Sequence, residues 1–592
     1  MRQWGLLALC TRLTSTVTAA GGRGALALAL LVVVGALVTP TAASAATPTI
    51  RARSTTGVTA DALPTVQING VVWTQVMIGN IVYAGGEFTA ARPSGAAPGT
   101  QQVARKNLLA YDITTGALVT GFVPGAFNRA IKTLAVSADQ NTLYVGGAFT
   151  KVGSSTRSYF AAVDARTGAL RQPAPKFDRQ VNALTVKGST VYIGGAFSKV
   201  GSATRTRLAA VNGSTGKLGS WRPKADNTVL ALVVTGDGKR VVAAGRFTKL
   251  NSTTATGMGA LDPSTGGTRA WKVNSVIKNS GSHSAILSLK ADATTVYGTG
   301  YQYGTGNFEG VFAAAGTDGT IRWIQDCHGD TYDVAPVGDY VYSVGHAHYC
   351  ANIGGFPDSS PRTVWNRAIA VTRAAAGQVA PNGQPSAGGQ KYGNFAGQPA
   401  PALFAWFPNL TAGTYTGQGQ AAWSVVGNGS YIALGGEFPS VNGAAQQGLV
   451  RFAVPRIAPN TIGPQVTSLS NRPTATVQAD GSVALSWTAN WDRDDLNLTY
   501  RLSRNGVVID TRTVPSTYWN RPTLTYTDTT PIDGTSGTTT SVSYTVTAVD
   551  PSGNAVTSAA TKVTVTGPAA PTPAPGTESP TPMLAPVPVT GG

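Results

Sequence analysis

The 592-residue sequence carries 71 glycines and 35 prolines but only 4 methionines, and 42% of it is apolar. Scarce helix formers beside abundant Gly, Thr, Ser, Ala and Val point to many short strands joined by turns, and the apolar content excludes wholesale disorder. The formal charge of +18 comes from thinly spread Lys and Arg with no basic run, which argues against nucleic acid and leaves anionic polymers as partners.

Taken in chain order, the first element is an export signal. Arg2, Arg12 and Arg23 accompany an apolar run from Gly24 to Val38, and Ala43-Ser44-Ala45 offers a small-x-small cleavage pattern. About 15 apolar residues fall short of the ~20 a spanning helix needs, and no second span follows. Residues 1–45 therefore read as a signal peptide, and the expected location is secreted or extracellular, including association with the cell wall. Cys10 leaves with that segment, so Cys327 and Cys350 are expected to pair in an oxidising compartment. Such a disulfide is worth roughly 3 kcal/mol in the chain-entropy model.

Next comes a repeat. Val82-Tyr83-Ala84-Gly85-Gly86-Glu87-Phe88 recurs as Leu143-Tyr144-Val145-Gly146-Gly147-Ala148-Phe149 and Val191-Tyr192-Ile193-Gly194-Gly195-Ala196-Phe197. Further copies end at Phe247 and Phe438, and two degraded copies surround Tyr297 and Tyr342. Each unit adds an apolar strand upstream and an Asp or Asn turn downstream, at Asp112, Asp164, Asn212 and Asp262. Phe149 to Asp164, Phe197 to Asn212 and Phe247 to Asp262 are each separated by 15 positions. Four short strands per unit of roughly 45–60 residues define a propeller blade, whose sheet must stack on neighbours around an axis. Paired glycines suit a close backbone approach, and the Phe would wedge between blades. Seven signatures predict about seven blades, with residues around Val58 to Gln67 completing the last one and closing the ring.

The pattern Tyr-x-Gly-Gly-x-Phe, then Arg, then Ala-Val-Asp-x-x-Thr-Gly resembles the delta-60 repeat propellers of secreted bacterial proteins over residues 60 to 455. The resemblance implies the fold far more than any activity.

Beyond Pro459 the repeat stops. Val483-Ala484-Leu485-Ser486-Trp487 alternates as a half-buried strand, Asn505-Gly506 signals a hairpin, and Ser543-Tyr544-Thr545-Val546-Thr547-Ala548-Val549-Asp550 forms a late strand. This stretch resembles a fibronectin type III module, a family of spacers and binding modules. The Pro-rich remainder reads as a flexible tail. The prediction is an all-β chain: signal peptide 1–45, a β-propeller of about seven blades over 46–457, a fibronectin type III-like β-sandwich over 458–567, and a disordered tail over 568–592.

All four histidines fall between His283 and His348, and three flank the cysteines. If Cys327 and Cys350 pair, the segments at 327–333 and 345–350 lie side by side, and His346 and His348 share one face of a strand. With His328 and Asp330 or Asp333, they form a candidate divalent-metal set of imidazoles and a carboxylate, or an acid–base pair. The competing reading makes them tolerated surface variants of a degraded blade. No other cofactor is expected. Arg105, Arg157 and Arg205 each stand seven residues before the Asp or Asn turn. They are candidates for an arginine-lined face that binds anionic polymer, against the alternative that each bonds carbonyls of its own blade. The ring of turn residues is best explained by Asx turns. Glu87 and Glu437, on neighbouring blades, could form a glycosidase-like carboxylate pair, with exposed repeat variants as the alternative. No nucleophile elbow, P-loop or zinc-protease motif is present, and no catalytic residue is assigned.

The expected function is that of a monomeric binding or scaffold protein recognising extracellular polysaccharide or protein through propeller loops, with no nucleic acid and no membrane span. The 374–420 insertion would shape the binding face. The competing class is a secreted carbohydrate-active enzyme, a glycoside hydrolase or lyase.

Overall fold

Alternating apolar strands with a carbonyl-crowded turn every few residues leave each repeat with two apolar faces, and stacking is the only way to cover both. The computed structural model describes residues 46–172, 174–384, 386–387, 390–467, 471–530 and 539–566. Residues 1–45, read from the sequence as a signal peptide, and the Pro-rich tail lie outside the described residues. Among those described, seven three- or four-stranded antiparallel sheets are the blades. Their inner strands are Val71–Ile78, Ile131–Val136, Val181–Lys187, Val229–Val234, Ser284–Ala291, Thr331–Val337 and Ala422–Gly427. Each packs beside the next, and the seventh packs beside the first, so the ring is closed.

The Gly-Gly pair has two separate steric causes. A Cβ on the first glycine would meet the residue that opens the next blade: Gly85 meets Ile131, Gly146 meets Val181, and Gly194 meets Val229, each at 2.6 Å. A Cβ on the second would strike the carbonyl oxygen just before the same blade's inner strand, Ala130 at 2.3 Å from Gly147 and Asp330 at 2.2 Å from Gly345. The Phe that follows is fully buried between blades. Phe149 shares a core with Tyr83, Leu108 and Ala110 of the preceding blade, a burial worth about 1.5–3 kcal/mol per ring. The signature Tyr hydroxyl also ties neighbours together, Tyr83 donating to Ala165 O at 2.6 Å and Tyr192 to Pro263 O at 2.8 Å.

The ring is fastened by the N-terminal strap. Thr59 N donates to Ala453 O and Leu63 N to Arg451 O, with Leu63 and Arg451 in an antiparallel bridge. The extension predicted from Val58 to Gln67 is shorter than expected, because Gln67–Ile68 turns away to pair with Ala90–Arg92. Arg451 is 3% exposed and donates to Ile113 O and Pro64 O, joining strap, first blade and seventh blade. Part of the 374–420 insertion belongs to the framework, since Leu403 bridges Val371 as the outer edge of blade six.

The C-terminal unit has two sheets around one core. Thr474–Val477, Val483–Thr488 and Thr523–Asp528 form one sheet, and the other holds Asn497–Arg504, Val507–Pro515, Thr539–Val549, Ala555–Thr557 and Thr561–Thr566. Trp487, Tyr500 and Tyr544 fill the space between them. Asn505 and Gly506 both take positive φ (49° and 84°), as the two-residue hairpin requires. The unit is docked on the propeller: Trp519 and Tyr518 pack on Phe407 and Phe356, and Asn366 Nδ2 donates to Tyr518 Oη at 2.8 Å. Among the described residues no helix is long and apolar enough to cross a membrane.

Candidate functional site at the channel mouth

Each of the seven inner strands carries a β-bulge at the same place. A bulge re-aims one side chain, and here the re-aimed residue lines the axial channel in every blade. In ring order these residues are Trp73, Lys132, Asn182, Leu230, Leu287, Tyr332 and Trp423, around a cavity of about 140 Å³. The arc across the ring seam is aromatic: Tyr332 lies 4.2 Å from Trp423 and Trp423 lies 4.8 Å from Trp73, centroid to centroid. The Lys132 ammonium caps the run, 3.5 Å from the Trp73 ring. Burial lowers the Lys132 pKa to about 8, opposed by the nearby Glu87 carboxylate.

Polar groups hold this arc in place. Glu437, 3% exposed, accepts from Trp423 Nε1 at 3.1 Å and from Thr416 Oγ1 and N at 2.6 and 2.8 Å. On the blade-six side the Asp330 amide donates to His346 Nε2 (3.3 Å), so Nδ1 carries the proton and donates to Gln420 Oε1 at 3.1 Å. Gln420 Oε1 also accepts from Arg367 Nη1 at 2.5 Å, and Tyr332 Oη sits 3.2 Å from His346 Nδ1. Burial first, and then the Arg367 charge, lower the His346 pKa to about 3, which keeps the ring neutral. Behind it lie buried carboxyls. Burial raises Glu309 to about 8, aided by the charge of Asp330, while the Gly329 amide (2.6 Å) opposes the shift. Asp330 is raised by burial to about 7 and Asp326 to about 8.

The disulfide Cys327–Cys350 is formed, and it sets His328 N 2.9 Å from Tyr349 O and His348 N 2.9 Å from His328 O. The candidate metal residues His328, Asp330, His346 and His348 share this neighbourhood but do not converge as one ligand set. Both ring nitrogens of His346 are engaged, His328 stacks on Tyr392 at 3.6 Å, and His348 Nδ1 pairs with Asp358 at 3.2 Å. Asp333 bridges blades five to seven, accepting from Ser288 Oγ and Val425 N. Among the described residues, the one group that brings three such donor atoms together is Asp492, Asp494 and Asp495, far along the chain.

The arginines of the series bond within their own blades. Arg105 donates to Ala104 O and Thr120 O, Arg157 to Thr156 O, and Arg205 to Thr204 O and Gly219 O. Carbonyls of their own blades hold these guanidiniums, because each loop must satisfy its backbone oxygens. The turn residues behave as Asx turns: Asp112 Oδ1 accepts from Thr114 N and Thr115 N, and Asn212 Oδ1 from Ser214 N and Thr215 N. Glu87 is exposed while Glu437 is buried against Trp423, so the two carboxyls occupy unlike settings.

Sequence reading missed Trp73, Lys132, Tyr332 and Trp423. A usable signal existed, since each bulge residue stands 13 or 15 positions before its blade's second glycine.

Residues 108–262 match the family model of the Rax2 C-terminal beta propeller domain. No curated protein sequence matches the chain. Among solved structures the chain is similar to the computationally designed Ika8 protein, with 12% identity and a TM-score of 0.34 over 83% of this chain and 98% of that one. It is similar also to U3-55K (10%, 0.41, 67% and 100%) and to a chain of the mitotic checkpoint complex (10%, 0.39, 68% and 98%). The protein is thus an all-β chain with a β-propeller domain.

Proposed function

We propose that this chain is an exported binding protein, secreted or held at the cell wall, whose propeller grips a polysaccharide at the mouth of its axial channel. The observation that carries this reading is the unbroken run of rings from Tyr332 through Trp423 to Trp73, ended by Lys132. Sugar rings lay their C–H faces on aromatic side chains, and their hydroxyls need donors and acceptors at the rim, which Lys132, Gln420 and exposed Glu87 can supply. The excess of basic residues favours an acidic glycan. The repeat is read as that of the delta-60 propellers, and the C-terminal sandwich as a fibronectin type III-like module that orients the propeller. The three-strand and five-strand sheets support that reading.

A glycan array on the purified chain tests the proposal, with Trp73→Ala and Lys132→Ala beside the parent. Losing one stacking face is expected to weaken a positive glycan about tenfold with little change in melting temperature. No bound glycan, or equal binding by both variants, overturns it.

The buried Glu309 and half-buried Asp330 carboxyls favour a second reading, a carbohydrate-active enzyme, since carboxyls that stay protonated near neutrality serve as general acids. Release of reducing ends from a bound glycan, abolished in Glu309→Gln with binding retained, would establish it over the first.

A further inference from the structure

The loop Trp491-Asp492-Arg493-Asp494-Asp495-Leu496 connects two strands of the C-terminal unit and meets the strap that closes the propeller ring. One carboxylate oxygen from each of Asp492, Asp494 and Asp495 falls within 4.8 Å of the other two. Asp492 and Asp494 are each 2% exposed, yet Asp492 Oδ2 and Asp494 Oδ1 are buried with no hydrogen-bond partner. Buried carboxylate oxygens without donors are costly, by several kcal/mol or more for an unpaired charge. Two more carboxylates bear on the cluster: the fields of Asp61 and Asp550 both act on Asp495. Asp61 is 3% exposed, and its Oδ2 also lacks a partner while Oδ1 is held by Thr461 and Ile462.

Against this negative charge stand two arginines. Arg53 Nη2 lies 3.8 Å from Asp494 and 3.5 Å from Asp495, and Arg493 feels Asp492 and Asp494 while donating to Phe407 O.

We propose that Asp492, Asp494 and Asp495 bind a divalent cation of the calcium type, which locks the C-terminal unit onto the ring-closing strap. The donor set is all carboxylate oxygen, the chemistry of a hard cation, and a loop offers the adaptable geometry and added carbonyl or water ligands that calcium accepts. A cation there neutralises the three carboxylates and satisfies the donorless oxygens together. The strap is within direct reach, since Ala60 N donates to Asp494 Oδ2 at 2.6 Å and Arg53 Nε to Asp494 O at 3.3 Å. The same strap supplies Thr59 and Leu63 to the last blade, so the ion would couple ring closure to docking of the C-terminal unit. This site is independent of the glycan reading.

The test is a calcium titration of the purified, EGTA-treated chain at pH 7.5, followed by calorimetry and thermal unfolding, with magnesium in parallel. The expected result is binding in the range of about 10⁻⁴–10⁻³ M typical of extracellular modules, a melting temperature several degrees higher in calcium, and a much smaller magnesium effect. Asp494→Asn, which can still accept from Ala60 N, is expected to abolish the calcium response. Asp495→Asn, at the more accessible ligand, should keep the metal-free melting temperature and weaken binding about tenfold or more. A chain indifferent to 10-fold excess calcium over that range, with Asp494→Asn more stable than the parent at pH 8, means a shared proton and overturns the proposal. A calcium response unchanged in both variants overturns it as well.

Discussion

Blades six, seven and one meet across the ring seam, and blades two, three and four lie opposite them on the same strand plan. At the bulge position the seam blades carry Tyr332, Trp423 and Trp73, whereas the opposite blades carry Lys132, Asn182 and Leu230. At the position after the second glycine, the seam blades carry His346, Glu437 and Glu87, and the opposite blades carry Ala148, Ala196 and Arg246. Two positions per blade are therefore free of framework duty, and both are specialised in the same sector. Regular blades need those sites only to stay out of the way. The seam blades use them to build a surface, and the framework positions around them stay constrained.

That constraint is sharpest at the second glycine, which both sectors retain. Replacing Gly147 by Ala in blade two would press a Cβ to 2.3 Å from Ala130 O, and Gly345→Ala in blade six to 2.2 Å from Asp330 O. Backbone cannot yield as a side chain tip does, so each is expected to lose roughly 3 kcal/mol or more. Denaturant unfolding of both variants checks this. A tolerated Gly345→Ala beside a disabled Gly147→Ala would break the equivalence of the two sectors as framework.

The next effect belongs to one sector alone. Cys327 and Cys350 tie the entry of blade six to the loop beyond its second strand, across a separation of 23 residues, and blades two to four have no such link. Replacing both with Ser should lower stability by about 3 kcal/mol in the chain-entropy model, and dithiothreitol should do the same to the parent. Hydrogen exchange should then rise at blade six and stay low in blades two to four. A uniform rise would show that the ring unfolds as one unit.

The framework was legible because it repeats. Gly85, Gly146 and Gly194 recur for a steric reason that acts identically each time, and Asp112 or Asn212 marks its turn by a local side-chain bond. The seventh blade's missing strand was readable by elimination, although Gln67–Ile68 then paired elsewhere. Where the repeat falters, compensation takes over: Val344 replaces the first glycine, and Ala422 opens the next blade within the same core. The histidines drew attention because they were rare, yet His346 works through Gln420 and Tyr332 rather than through a metal set with its neighbours. Trp73 and Trp423 went unnoticed because a bulge changes where a side chain points without changing strand composition. Asp492 and Asp494 went unnoticed because their partner, the strap at Arg53–Asp61, lies more than 400 residues away.

The smallest predicted effect tests the electrostatic side of the same comparison. Glu309 sits at about 8 in the folded chain against an ordinary value of 4.5, so folding favours its protonated form. The sign follows from linkage: this carboxyl's contribution is fully present below about pH 4.5 and is lost as pH rises through about 8. The neutral histidines act oppositely. His346 at about 3 and His348 at about 4, against 6.5, contribute stability above that value that is lost as pH falls toward 3–4. Stability should therefore peak in mildly acid solution and decline between pH 6 and 8, where the raised carboxyls dominate. Glu309→Gln keeps an acceptor for the Gly329 amide and removes the titration. It should flatten that decline by roughly 2 kcal/mol. Denaturant midpoints measured every half unit across that range decide it, and an unchanged slope in Glu309→Gln would assign the decline to groups other than Glu309.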